Sequence, residues 1–125
     1  MTATAEQGAH IQQLKIACWS NMALCTIKLG TNPERAISYC DKVLAEDKAH
    51  SKARFRKAQA LAQAKDFERA LALLTQLAKE EPKNASVRAQ FRQTVALKKE
   101  FDAAAKANQK KVFGNIFNRD GAGLY

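Results

Sequence analysis

Residues 36–44 read Ala36-Ile-Ser-Tyr-Cys40-Asp-Lys-Val43-Leu44, and 34 residues further on the chain reads Ala70-Leu-Ala-Leu-Leu74-Thr-Gln-Leu77-Ala78. Each copy sets a small residue, an apolar residue four positions on, and another three later. On a helix these share one face, and the small residue lets a neighbouring helix approach closely. Upstream, Trp19, Met22, Ala23 and Thr26 match Arg54, Lys57, Ala58 and Leu61 at a shift of 35. The extra residue falls in the turn Gly30–Thr31–Asn32–Pro33, where an insertion is easily absorbed. The joint register over about 68 residues makes a helical repeat the organising feature of the chain.

Stop signals place the helices. A first is expected from about Ala5 to Leu29, ended by Gly30, and a second from Pro33 to about Asp47 behind Asn32. A third covers about Ser51–Lys65, and a fourth Phe67–Lys79, ending before Pro82. A fifth starts after Asn84 and continues to about Lys111, with Val87, Phe91, Val95 and the Lys98 stem on one face. It departs from a third repeat because Arg92 fills the slot of the small residue. A long terminal helix of this kind caps a helical stack.

Composition agrees. The 125 residues fit one domain, and Ala (24), Lys (14) and Leu (11) dominate over 4 Val and 5 Ile, which favours helices over a sandwich or barrel. The formal net charge is +9 and unevenly spread. Residues 1–47 carry four basic and five acidic side chains, residues 48–78 seven and two, and residues 79–125 ten and five. The positive character therefore begins at Lys48 and favours an acidic partner.

Several function classes fall away. No apolar run approaches the roughly 20 residues a membrane span requires. Residues 1–10 show no basic stretch followed by an apolar one, so no secretory leader is expected. Cys18, Cys25 and Cys40 are odd in number and sit in apolar patterns, which suits reduced thiols in a cytoplasmic protein, with the nucleus a further location. His10 and His50 have no metal-ligand spacing to Cys, Asp or Glu, and glycine is too scarce for a phosphate-binding loop. No catalysis, cofactor or metal is expected in this chain. The basic residues lack interleaved aromatics for base stacking, which disfavours nucleic acid.

The repeat resembles the tetratricopeptide repeat, an aromatic followed by small and apolar positions, then a later Ala, an aromatic and a Pro. The first copy carries Trp19, Met22–Ala23, Thr26, Ala36 and Cys40, with Lys48 where Pro belongs; the second carries Arg54, Lys57–Ala58, Leu61, Ala70, Leu74 and Pro82. The resemblance implies an all-α, right-handed solenoid of about five helices in one domain. Its repeats lie at about 16–50 and 51–84, with a capping helix and tail at about 85–125. Two repeats make a short stack, and Ile11, Leu14 and Cys18 are expected to lie uncovered on the first helix. A larger protein, or a second copy packing on that helix, would supply the missing layer.

In such a stack the first helix of each repeat lines a concave groove. Positions 2 and 6 of that helix lie one turn apart and both point into it. The second copy has Lys52 and Arg56 there, and the first has Asn21 at position 6. A terminal carboxylate is suited by this set: a Lys point charge, an Arg fork and an amide donor. Lys15 and Phe55 are further candidate groove contacts, while Arg54 and Lys57 are read as a solvated face or as contacts to peptide side chains.

Residues 18–25, Cys18-Trp-Ser-Asn-Met-Ala-Leu-Cys25, and residues 51–58, Ser51-Lys-Ala-Arg-Phe-Arg-Lys-Ala58, resemble the carboxylate-clamp repeats of co-chaperones. The tail Lys110-Lys-Val-Phe-Gly-Asn-Ile-Phe-Asn-Arg119 is similar to the terminus of large immunophilins of the FK506-binding type. The likeness implies a grip by Asn21, Lys52 and Arg56 on the Glu-Glu-Val-Asp terminus of heat-shock protein 90 or heat-shock protein 70. It also implies an earlier repeat, with two more clamp residues, and a prolyl isomerase domain, none of which lies in this chain. Phe113, Ile116 and Phe117 follow Lys110 and Lys111 at helical spacing, which suits either a calmodulin target or a face folded onto the last repeat. A dimerisation or scaffold module is the alternative reading.

Overall fold

The computed structural model describes residues 4–123, and side chains through Phe117. It contains five α-helices and, among the described residues, no strand: α1 (Ala5–Leu29), α2 (Pro33–Glu46), α3 (Ser51–Gln63), α4 (Phe67–Glu80) and α5 (Ala85–Gly123).

Short polar side chains start the helices. Thr4 and Gln7 form a reciprocal capping box at α1, with the Thr4 hydroxyl accepting from the Gln7 N–H at 3.2 Å. The Asn32 and Asp66 side chains accept from the N–H groups of Arg35 and Arg69. At α3 the cap is His50, whose Nδ1 accepts from the Ala53 N–H at 3.1 Å. The Asn84 Oδ1 accepts from the N–H groups of Ser86 and Val87 at the start of α5.

Two of the helix ends are set by left-handed backbone. Gly30 has φ +68° and its N–H donates to the Thr26 carbonyl, a glycine cap as expected. Lys65 has φ +66°, an unusual value for a residue with a Cβ. This reversal ends α3 at Gln63, two residues short of the expected boundary, and turns the chain into α4. Helix α5 overruns its expected end because no proline follows Pro82 and the one glycine between Pro82 and Asp120, Gly114, does not suffice to break a helix.

Consecutive helices pack as antiparallel neighbours, and α3 touches α1 on one side and α5 on the other, while α2 and α4 do not meet. The odd-numbered helices are therefore drawn together and the even ones splayed, which makes the odd face concave. Alanine permits this closeness: Ala23, Ala36, Ala58, Ala60 and Ala70 are all fully buried. The main core joins Ala58, Leu74, Leu77 and Val87, with Phe55, Leu73, Ala78 and Phe91 packed against it. Phe101 closes on Phe67 with ring centroids 5.5 Å apart and lies under the Lys65 ammonium. From Asp102 to Phe117 every side chain is exposed. The apolar face of the tail is thus not folded onto the last repeat, one of the two outcomes the sequence left open.

Candidate peptide-binding groove

The concave face is built from α1 and α3. Residues 20 and 21 lie on α1, and residues 52 and 56 lie on α3, one turn apart. Because α1 and α3 are in direct contact, residues 31 to 36 positions apart in sequence become neighbours. Arg56 seals the junction: its Nη1 donates to the Ser20 carbonyl at 2.6 Å and to the Ser20 hydroxyl. Two turns further along, the Gln63 amide donates to the Ile27 carbonyl at 2.9 Å. The Arg56 guanidinium is thereby held in place with one nitrogen, Nη1, engaged. Its other N–H groups make no hydrogen bond among the described residues, so the fork is preorganised for an anion.

A cavity of about 410 Å³ lies here, lined by Gln13, Ile16, Ala17, Ser20, Asn21, Asp47, His50, Lys52 and Arg56. A second cavity of about 330 Å³ adjoins it, sharing Lys52 and Arg56 and adding Leu24, Ser51, Phe55, Gln59, Asn84 and Ser86. Together they form one groove whose first part is mainly polar, with Lys52 and Arg56 and the Asp47 carboxylate in its lining, and whose second part has Phe55 and Leu24 as an apolar wall. Lys52 is exposed and has no ion pair among the described residues. Asn21 is exposed as well. Such a site can bind a carboxylate and seat an apolar side chain next to it.

Of the candidates, Asn21, Lys52 and Arg56 line one cavity, and Phe55 lines its continuation. Lys15 is exposed and belongs to neither lining. Arg54 and Lys57 are neither solvated nor aimed at a ligand. Arg54 pairs with Glu80 and Lys57 with Asp41, both at 2.6 Å, with the basic side chains only 13% and 18% exposed. They tie α3 to the helices on either side of it. Lys110, Lys111, Phe113, Ile116 and Phe117 stand exposed on the free part of α5, away from the groove, with the Phe113 and Phe117 rings 6.2 Å apart.

Among the lining residues that sequence reasoning missed are Ser20, Asp47 and His50. Ser20 gains its role only when α3 brings Arg56 to it. Asp47 and His50 lie in the α2–α3 turn, and a histidine is not among the usual capping residues. Since His50 Nδ1 accepts the Ala53 N–H, a neutral His50 carries its proton on Nε2. Behind the groove, burial and the neighbouring Asp41 raise the Cys40 pKa to about 11 against the opposing pull of Arg56 and Lys57, which keeps it a neutral thiol near pH 7. Among the described residues no cluster of three or more His, Cys, Asp or Glu could hold a metal, and no helix is long and apolar enough to cross a membrane.

Comparison with known proteins agrees with this architecture. The tetratricopeptide repeat family model matches residues 31–90. The human FK506-binding protein-like protein is 33% identical over 95 residues, covering 76% of this chain and 27% of that protein. Peptidyl-prolyl cis-trans isomerase D of Eremothecium gossypii is 34% identical over 113 residues, 88% of this chain and 29% of its own length. Human peptidyl-prolyl cis-trans isomerase FKBP4 is 30% identical over 114 residues, 91% and 24%. The chain thus spans less than a third of the relatives it matches, and its described residues carry the repeat fold and no isomerase fold. The repeat register, the stacked hairpins and the family match make the chain a tetratricopeptide-repeat domain, similar in sequence to part of the human isomerase FKBP4 and of peptidyl-prolyl cis-trans isomerase D.

Proposed function

We propose that this domain is a protein-interaction module that grips the free C-terminus of an acidic peptide. Lys52 supplies a point charge, Arg56 a preorganised fork and Asn21 an amide donor, while the Phe55 wall takes an apolar side chain. The observation that carries the reading is the convergence of Asn21, Lys52 and Arg56 on one cavity, where, among the described residues, neither cation forms an ion pair, the lining carboxylate Asp47 included. The Glu-Glu-Val-Asp terminus of heat-shock protein 90 or heat-shock protein 70 has the matching chemistry: acidic residues, a valine and a terminal carboxylate. The setting is then that of a co-chaperone in the cytoplasm, and in the nucleus as well. An isomerase activity, which the names of two relatives carry, would belong to another part of a longer protein.

Fluorescence anisotropy with a labelled peptide ending in Glu-Glu-Val-Asp tests the assignment. Lys52→Ala should weaken binding about tenfold without changing the fold, because Lys52 is exposed and unpaired. Unchanged affinity in Lys52→Ala and Asn21→Ala alike would contradict it.

Two further contacts are supported by exposed apolar residues. Phe113, Ile116 and Phe117, beside Lys110 and Lys111, suit calcium-loaded calmodulin, and calcium-dependent capture of the domain would test this. Ile11, Leu14 and Met22 on α1 suit a second copy of the chain, read out by light scattering as a dimer. In that case the domain is a scaffold as well as a clamp.

A further inference from the structure

Helix α5 follows α3 in register at a shift of 34, and the comparison exposes a vacant docking face. On α3, Ala58 and Leu61 are buried against α4, and Arg54 takes the Glu80 carboxylate of that helix at 2.6 Å. The equivalent residues of α5 are Arg92, Val95 and Arg88. Arg88 and Arg92 are exposed and have no ion pair among the described residues, because α5 runs straight on and, among the described residues, no helix packs on it where α4 packs on α3.

A slot of about 410 Å³ opens at this place between α4 and α5. Its floor is Ala78 and Phe91, and its rim is Thr75, Lys79, Arg88 and Arg92. Phe91 stands where α3 has Lys57, so an ion pair in one layer becomes an apolar gap in the next. Lys79 is likewise without an ion pair among the described residues. An apolar floor ringed by three free cations is complementary to an acidic, amphipathic ligand.

We propose that this slot docks an acidic amphipathic helix of a partner protein, on the flank of the domain and apart from the groove. The internal repeat indicates a helix, since α4 is the helix that fills the equivalent face of α3. Arg88 and Arg92 stand one turn apart and meet carboxylates spaced three or four residues along a helix. An apolar side chain between those carboxylates enters the slot over Phe91. Arg92 in place of Ala58 holds the incoming helix further out than α4 lies on α3, so the contact is reversible rather than part of the core. No residue is shared with the groove, and the inference stands whether or not the groove binds a C-terminus.

The probe is a synthetic 18-residue helical peptide with leucine along one face and glutamate flanking it, measured by fluorescence anisotropy at physiological salt. Binding should exceed that of a scrambled peptide of the same composition. The pair of changes Arg88→Glu and Arg92→Glu should weaken it at least about tenfold. A peptide with lysine in place of glutamate should bind this double variant more tightly than it binds the unaltered domain. Both side chains are exposed, so the thermal melt followed by circular dichroism should be unchanged and folding is not at issue. Equal binding of the scrambled peptide, or indifference to the charge reversal, would overturn the proposal. So would charge-dependent binding at these residues of phosphatidylserine vesicles but not of the peptide.

Discussion

The two hairpins follow one pattern but are built unequally. The second, α3–α4, is covered on both sides, by α2 and α5, and buries Leu61, Leu74, Leu77 and Phe67. The first, α1–α2, is covered on one side only. Its interior is Ala23, Ile27, Ala36, Cys40 and Val43, while Ile11, Leu14 and Leu29 of α1 remain exposed. Stability is therefore concentrated in the second hairpin, since apolar area removed from water is the main favourable contribution to folding. Charge is divided the same way, with the positive excess beginning at Lys48. The groove lies where the two meet, with its amide on the weaker hairpin and its cations on the stronger.

Truncation tests this contrast most severely. Leu77→Ala empties a fully buried site in the main core and should cost about 3 kcal/mol in a chemical-denaturation series. Leu14→Ala, at a residue 53% exposed, should change stability by less than about 0.5 kcal/mol. Comparable losses at both would abolish the distinction between the hairpins. Hydrogen exchange gives a second view: amides in the middle of α3 and α4 should be the slowest, and those in the first turns of α1 among the fastest.

Smaller effects sharpen the picture. Lys65→Gly relieves the left-handed backbone between α3 and α4, at φ +66°, and should stabilise the domain by about 0.5–1 kcal/mol. The gain is reduced by whatever the Lys65–Phe101 contact contributes. The smallest effect is confined to alkaline pH. Cys40 has its pKa raised by burial from 9.0 to about 11, so its contribution is fully present below pH 9 and is lost as pH rises towards 11. Melting temperatures of the unaltered domain should fall more steeply across that window than those of Cys40→Ala.

The helices were legible because their signals are local. Gly30, Asn32, Pro33 and Asn84 act within a turn of where they stand, and the small residues Ala36 and Ala70 mark the packing face in each copy. What escaped was tertiary or lacked a usual residue type. Lys65 takes a conformation that sequence rules reserve for glycine, because it must link two helices whose packing is already fixed. Arg54 and Lys57 read as surface charges until α4 brings Glu80 and α2 brings Asp41 within reach. Asn21, Lys52 and Arg56 could be selected through the repeat register, which carries positional information across 35 residues. Ser20 and His50 carried no such signal. Helix α5 continues past its expected end near Lys111 because no proline follows and Gly114 alone does not break it, although its surface is free of packing from Asp102 on.

Recognition of a free terminal carboxylate is the property proposed for the groove. Isothermal calorimetry should compare one peptide ending in Glu-Glu-Val-Asp as its free acid and as its C-terminal amide. The acid should bind, with at least about a tenfold loss for the amide, since the preorganised Arg56 fork and the Lys52 charge lose their anion. Equal affinity for the two peptides, or no binding of either, would contradict it.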